Sequence, residues 1–257
     1  MNVKHVLQTE GIFVNVIITK LKTVPRFKKL YYFLCIYLSP KKYFMKQFLI
    51  LCLLAMFTSC SVNKNNNKTN GWISLFDGTS LTGWRASENP ATFSVEKGMI
   101  VVHGPRAHLF YEGAVMDHNF KNFEFKAQVM TTPGSNSGIF IHTTYQESGW
   151  PSRGYEVQVN NSHTDWRRTG SLYAVDDVKE VYVKDNEWYT EYIKVQGKKV
   201  TVMINNKIVV DYTEPEGIEK TPDRAVKHLS SGTFALQGHD PASKVYYKDI
   251  LVKPLPE

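Results

Sequence analysis

From Trp72 onward, apolar side chains recur at every second residue, and that period admits only one kind of regular structure. An extended chain turns successive side chains to opposite faces, whereas a helix needs apolar positions three and four apart. Phe123, Phe125, Ala127 and Val129 make the cleanest run. Phe93 and Val95 lead through Glu96-Lys97-Gly98 into Ile100 and Val102. Ile139 and Ile141, then Tyr155, Val157 and Val159, make shorter runs. Tyr192 to Gln196 and the run Val200, Val202, Ile204 flank Gly197-Lys198 as a hairpin, and Asn205-Asn206 turns the chain into Ile208 and Val210. Phe234 and Leu236 open a late strand, and Val245 to Val252 closes the domain. Short alternating strands punctuated by Gly, Asn and Pro predict an all-β fold, a two-sheet antiparallel β-sandwich. One short helix has room, over Thr221–Leu229, with Thr221 as cap and Pro222 in its first turn. No internal repeat and no Gly-rich phosphate loop is present, so neither a nucleotide nor a haem is expected as cofactor.

Charge separates the first sixty residues from the rest. The chain carries a formal net charge of +7, but nine of its Lys and Arg and only one acid, Glu10, precede Cys60. From Cys60 on there are 22 basic and 23 acidic residues. The folded part therefore lacks the basic footprint that nucleic-acid binding requires, and no nucleic-acid partner is expected. All three cysteines, Cys35, Cys52 and Cys60, also lie in this leader region. That excludes a disulfide framework, a thiolate nucleophile and a Cys-based zinc site from the domain that follows.

Within the leader, Met45-Lys46 precedes the apolar run Phe48 to Phe57, then Thr58-Ser59-Cys60. A positive start, an apolar stretch of about 7–15 residues and small residues before a cut describe a secretory signal, too short to span a bilayer. Cys60 after Thr-Ser resembles a bacterial lipobox, in which the cysteine is acylated and becomes the new N-terminus. An ordinary cleaved signal peptide or an uncleaved anchor are the alternatives. The expected organisation is an upstream mis-start or leader over 1–44, a lipoprotein signal peptide over 45–59, an acylated Cys60 with an Asn-rich flexible tether over 60–71, and the sandwich over 72–257. That places the domain in a bacterial cell envelope, lipid-anchored and facing the periplasm.

Several segments of the domain line up, in order, with one family. Trp72-Ile73-Ser74-Leu75-Phe76-Asp77-Gly78 and Leu81-Thr82-Gly83-Trp84 match an "LFDG…L…GW" opening. Asn136-Ser137-Gly138-Ile139, Gly154-Tyr155-Glu156-Val157-Gln158, Thr169-Gly170-Ser171-Leu172-Tyr173 and Ala235-Leu236-Gln237-Gly238-His239 match four later landmarks. In these the chain resembles the 3-keto-disaccharide hydrolase-like domain family from Trp72 to about Lys253. It departs at His142, where the family often carries Arg, and at Tyr247-Lys248-Asp249-Ile250, where Lys248 keeps a charge but not the planar guanidinium fork. The resemblance implies a jelly roll of the concanavalin A-like type with a concave binding face. It also implies substrates that are sugars oxidised to a ketone at C3, cleaved at C1.

A C3 ketone acidifies the hydrogen on C2, so such a site needs a base near C2, a group that polarises the ketone, and an acid for the leaving oxygen. Glu156 and Gln158 are two apart and share a strand face, with Tyr155, Val157 and Val159 turned the other way. Glu156 is the first candidate for the base or a metal ligand, and Gln158 for orienting substrate. Gln237 and His239 repeat that spacing, and alternation places His142 with them, opposite Ile139 and Ile141. Glu156, His142 and His239 are thus the catalytic candidates. Asn136, Gln158, Gln237, Trp150, Trp166 and Lys248 are the substrate-binding candidates; the two tryptophans are proposed to stack on sugar rings. A divalent metal ion, with His163 and Glu156 as ligands, would polarise the ketone. Two functions stay open: cleavage of 3-keto-glycosides by hydrolysis or β-elimination, and non-catalytic carbohydrate binding on the same scaffold. A purely structural envelope role is a third.

Overall fold

The computed structural model describes residues 70–217 and 227–257. The leader, Cys60, most of the tether and the body of the expected Thr221–Leu229 helix lie outside the described residues. No helix among the described residues is long and apolar enough to cross a membrane.

Among the described residues, thirteen strands form two antiparallel sheets, the sandwich expected from the alternation. In chain order they are β1 (Ile73–Ser74), β2 (Trp84–Ala86), β3 (Phe93–Glu96), β4 (Met99–His103), β5 (Ala107–Tyr111), β6 (Phe123–Thr131), β7 (Ser137–Thr143), β8 (Tyr155–Val159), β9 (Tyr189–Gln196), β10 (Lys199–Ile204), β11 (Lys207–Thr213), β12 (Thr233–Gly238) and β13 (Lys244–Pro254). One sheet has eight strands in the order β11-β10-β9-β6-β13-β4-β3, with β1 added on β13; the other has five, β2-β5-β12-β7-β8.

The hairpin turns follow from their residues. Lys97 and Gly98 have φ of 49° and 82°, and Asn205 and Asn206 have 47° and 69°. Two successive left-handed residues make the turn whose twist matches paired strands, and Asn and Gly tolerate it best. In the eight-stranded sheet β6, β9 and β10 alternate cleanly, as in β6, where Phe123, Phe125, Ala127 and Val129 are buried and the residues between are half-exposed. The five-stranded sheet does not. Every residue of β5, β7 and β12 is buried, because loops cover the face that is turned from the core. Burial on both faces erases the polar half of the alternation. The strand β5, Ala107-His108-Leu109-Phe110-Tyr111, therefore carries no polarity signal and has no counterpart in the sequence reading.

One expected side-chain direction is reversed. His142 has φ of +54°, and the pairing of β12 with β7 shifts register between Thr233 and Ala235. This irregularity breaks the alternation, so Ile141 and His142 both avoid the outward face. The ring of His142 meets the core residue Phe123 edge-on at 5.6 Å. Its Nε2 lies 2.9 Å from the Lys121 carbonyl, and its Nδ1 accepts the Ser230 N–H at 3.1 Å. Gly154, with φ of +74°, packs so close to the bulge that any Cβ would strike the Ile141 carbonyl. His142 is a structural clamp, held neutral because burial drops its pKa to about 4.

The core also holds an acid without a partner. Glu191 on β9 is fully buried, and neither carboxyl oxygen has a hydrogen-bond partner among the described residues. Burial raises its pKa well above the carboxylate range, so the folded state keeps it protonated. The unfolded chain ionises it above about pH 4.3, and folding must then restore the proton. This cost is absent at low pH and grows as pH rises toward the folded pKa. Replacing Glu191 with Gln should raise the melting temperature at pH 8 by about 2–4 °C or more, with the gain vanishing below about pH 4. Thermal melts across pH check it; an equal shift at all pH values would contradict a protonated Glu191.

Candidate functional site

The outward face of the five-stranded sheet gathers the polar residues, and strand register decides which of them meet. Gln237 pairs with His108, and Gly138 pairs with Gln158. Leu236 pairs with Ile139, so Gln237 and Gly138 stand at neighbouring positions. A second row, Phe110, Ala235, Phe140 and Glu156, lies beside the first. Phe110, Phe140 and Ala235 form a small apolar cluster separate from the main core, with Tyr145 packed on it.

Glu156 leaves its own row. Its Oε1 accepts the Nε2–H of Gln237 at 2.7 Å, two strands away. It reaches across because Gly138 has no side chain. A Cβ at Gly138 would overlap Oε1 and come within 2.9 Å of Cγ and 3.0 Å of Cδ. Burial raises the Glu156 pKa to about 7, against the lowering effect of the Gln237 hydrogen bond and of Lys227. The glycine of the Asn136-Ser137-Gly138 segment is thus a seat for the carboxylate.

A second group of contacts runs outward from Gln158. Its Nε2 donates to Asn136 Oδ1 at 3.2 Å, and Asn136 Nδ2 lies 3.3 Å from His163 Nδ1. The His163 and His239 rings are 5.4 Å apart, and His239 Nδ1 lies 2.7 Å from Asp240 Oδ2. Asp240 is well held. Its Oδ1 accepts the N–H groups of Ala242 and Ser243, and its Oδ2 also accepts the Ser243 hydroxyl. Burial alone would raise its pKa, but the hydrogen bonds from His239, Ser243 and the backbone outweigh it and keep the carboxyl ionised.

His163, His239 and Asp240 each offer a ligand atom, all within 4.8 Å of one another. Two imidazoles and a carboxylate suit a divalent first-row metal ion, and the residues fit such a group. Asp165 donates its N–H to His163 Nδ1 at 3.1 Å, a bond that ligation through that nitrogen would replace. The expected ligand His163 is in this group; Glu156, also expected, is not.

Aromatic walls flank the cluster. Trp150, 46% exposed, lies 5.5 Å from the His239 ring and 5.5 Å from His108. Arg106, in an ion pair with Glu88 at 2.9 Å, stands over its indole at 5.3 Å. His108 is fully buried, and neither ring nitrogen has a partner among the described residues. Its burial lowers the pKa to about 4, so the imidazole is neutral. Gln158 Oε1 and Gln237 Oε1 are likewise buried and unpartnered. These atoms are acceptors, and in His108 an acceptor and a donor, left over for a polar ligand. Trp166, also 46% exposed, lies on the loop that follows His163.

Of the sequence candidates, the fold brings Glu156, Gln158, Gln237, Asn136, His163, His239 and Trp150 together, with Trp166 on the adjoining loop. It does not bring His142, for the reason given above, nor Lys248. Lys248 follows the inward Tyr247 on β13, so it points out of the eight-stranded sheet, where its Nζ stands 4.0 Å over Trp188. Sequence reasoning missed His108, Gly138 as the seat of Glu156, and Asp240. The position of His108 between Ala107 and Leu109 was the available signal for the first, and adjacency to His239 for the last.

A family profile described as a 3-keto-alpha-glucoside-1,2-lyase-like domain matches residues 71–253. The chain is similar to a 3-keto-disaccharide hydrolase of Bacteroides thetaiotaomicron, with 27% identity over 169 residues. That match covers 55% of this chain and 58% of the relative, so the chain spans less than two thirds of that protein. Two crystal structures from Parabacteroides distasonis, both provisionally assigned as glycosyl hydrolases, share the fold. One has a TM-score of 0.61 at 24% identity, covering 74% of this chain and 96% of its own. The other has 0.56 at 22%, covering 72% and 99%.

The seat under Glu156 makes a direct prediction. Gly138→Ala should push the carboxylate off Gln237 toward solvent and lower its pKa from about 7 toward the ordinary carboxylate value. Carbon-detected NMR titration of the Glu156 carboxyl reads this, and an unchanged titration would refute the seating role.

Proposed function

The chain belongs to the 3-keto-alpha-glucoside-1,2-lyase-like domain family, and on that premise we propose that its site cleaves the glycosidic bond of 3-keto-glycosides, 3-keto-disaccharides among them. Glu156 is the base. A carboxyl held at about 7 is partly ionised near neutrality and basic enough to take a carbon-bound proton. The C2 proton passes to Glu156, and the C2–H electron pair becomes the C2=C3 bond of an enolate, with the charge on the C3 oxygen. Collapse of the enolate restores the ketone, forms C1=C2 and breaks C1–O. The departing oxygen takes a proton from Glu156, which received one from C2. Water adding at C1, with a proton returning to C2, completes a net hydrolysis; release before that step makes the reaction an elimination. A divalent ion held by His163, His239 and Asp240 would polarise the C3 carbonyl. Gln158 Oε1, Gln237 Oε1 and the His108 ring meet sugar hydroxyls, and Trp150 packs on a sugar face.

The observation that carries this reading is the Glu156 carboxylate itself, half-buried over Gly138 with one side-chain donor and with the unpartnered oxygens of Gln158 and Gln237 on the same face. Glu156→Gln should lower turnover of a 3-keto-glucoside by about 10²–10⁴-fold while binding persists. In the wild type, kcat/KM should climb as pH rises through about 7, because the base must lose its proton. A chelator should lower the rate and a divalent metal restore it. Free 3-keto-sugar as product means hydrolysis, and an unsaturated product means a lyase. A second reading, non-catalytic carbohydrate binding, draws on the exposed faces of Trp150 and Trp166. Under it the wild type would bind 3-keto-glycosides and turn over none, with or without metal.

We further propose that Cys60 is acylated and that the domain works from a lipid anchor in the bacterial envelope. Cys60→Ser should abolish incorporation of labelled fatty acid and move the protein from the membrane to the soluble fraction; persistent labelling would exclude Cys60 as the attachment point.

A further inference from the structure

Beside the cluster, the loop from His163 to Lys179 builds a second feature that the cleavage chemistry does not use. Trp166, Arg168 and Lys179 line a cleft of about 400 Å³. Small-molecule sites are clefts of about 300–1,000 Å³, so this one has room for a sugar ring with its substituent. Its wall is the exposed indole of Trp166, and the charged residues that line it are two cations, neither of which forms an ion pair among the described residues. Arg168 Nη1 donates to Asn160 Oδ1 at 3.1 Å, the His163 carbonyl at 2.8 Å and the Asp165 carbonyl at 2.9 Å. All three acceptors are neutral. Among the described residues, neither Arg168 nor Lys179 has an acidic group within 4.0 Å. Lys179 Nζ stands 5.5 Å from the Trp166 ring, and the Arg168 N–H to Val178 carbonyl bond at 2.9 Å holds the two cations on adjoining strands of the loop.

Arg167 behaves differently. It pairs with Asp177 at 3.1 Å and Asp165 at 3.6 Å, so its charge is answered within the protein. The contrast matters because the domain as a whole is balanced, with 22 basic and 23 acidic residues from Cys60 on. Two unanswered cations around one exposed aromatic ring are a local arrangement, not the overflow of a basic protein. The cleft also adjoins the site. Trp166 is three residues beyond His163, and the Asp165 carboxylate, 3.3 Å from the Tyr173 hydroxyl, is close enough to raise the Glu156 pKa.

We propose that this cleft is a subsite for an acidic sugar unit, one whose ring stacks on Trp166 while its anionic group is held by Arg168 and Lys179. The proposal rests on the reading of the main site as a 3-keto-glycoside site and adds that the leaving sugar carries a negative charge. A carboxylate of a uronic acid and a sulfate ester present the same chemistry to the two cations: a delocalised anion with several acceptor oxygens.

The test measures binding by calorimetry, on Glu156→Gln protein to prevent turnover. The ligands are a neutral 3-keto-disaccharide, its counterpart with glucuronic acid as the leaving unit, and its counterpart with a 6-sulfate there. At low salt at least one acidic ligand should bind about fivefold or more tightly than the neutral one. The preference should shrink in 0.5 M salt. Lys179→Gln and Trp166→Ala, both changes at the protein surface, should each cut the acidic-to-neutral affinity ratio to near one. The tighter of the two acidic ligands identifies the anion. Equal affinity for all three ligands, or an acid preference that survives both substitutions, overturns the proposal. Turnover by the wild-type protein is read separately. Loss of the acid preference with normal turnover removes only this subsite, and an intact preference with no turnover removes only the catalytic reading.

Discussion

The central strands of the five-stranded sheet, β5, β12 and β7, are buried on both sides, and most of the chemistry follows from that constraint. One face packs on the eight-stranded sheet through Leu109, Leu236, Ile139, Val157 and Val159. The other is roofed by the loops that carry Trp150 and His163. A polar side chain on the roofed face cannot turn to bulk water, so each must find a partner or be left for a ligand. Glu156 finds Gln237, and Gln158 finds Asn136. The His108 nitrogens and two glutamine oxygens find nothing among the described residues. The same desolvation holds Glu156 at about 7 and His108 at about 4, giving one group fit to accept a proton near neutrality and one that stays neutral there.

Backbone irregularities decide which residues join that face. A regular β7 would turn His142 outward with Phe140. The bulge at its end, made possible by the close approach of Gly154, turns it inward onto Phe123. The chain thus uses one histidine to tie Lys121 to Ser230 and keeps His163 and His239 for the site. Gly138 acts by the opposite means. It adds no contact, and the room it leaves lets a glutamate from β8 reach a glutamine on β12.

The electrostatics are local in the same sense. Asp240 is ionised because four hydrogen bonds converge on it, Glu191 is protonated because none do, and Arg167 is answered by two aspartates while Arg168 is not. None of these states follows from net charge. Each follows from whether the fold supplies a counter-group within hydrogen-bonding distance.

The sequence by itself determined the fold class and most of the strands, because a period of two in hydrophobicity is written residue by residue and needs no distant partner to be read. It also determined that β8 and β12 present Glu156, Gln158 and Gln237 to one face, since spacing of two on a strand is a local property. Only the tertiary structure decided what those residues meet. The reach of Glu156 over Gly138 depends on β7 lying between β8 and β12. The grouping of His163, His239 and Asp240 depends on two loops 76 residues apart in the chain closing over one sheet end. The exclusion of His142 depends on a bulge, and the exclusion of Lys248 on which sheet β13 joins. His108 was hidden for a related reason: a strand buried on both faces loses the alternation that would mark its outward side, and only the roof above it shows that the side exists.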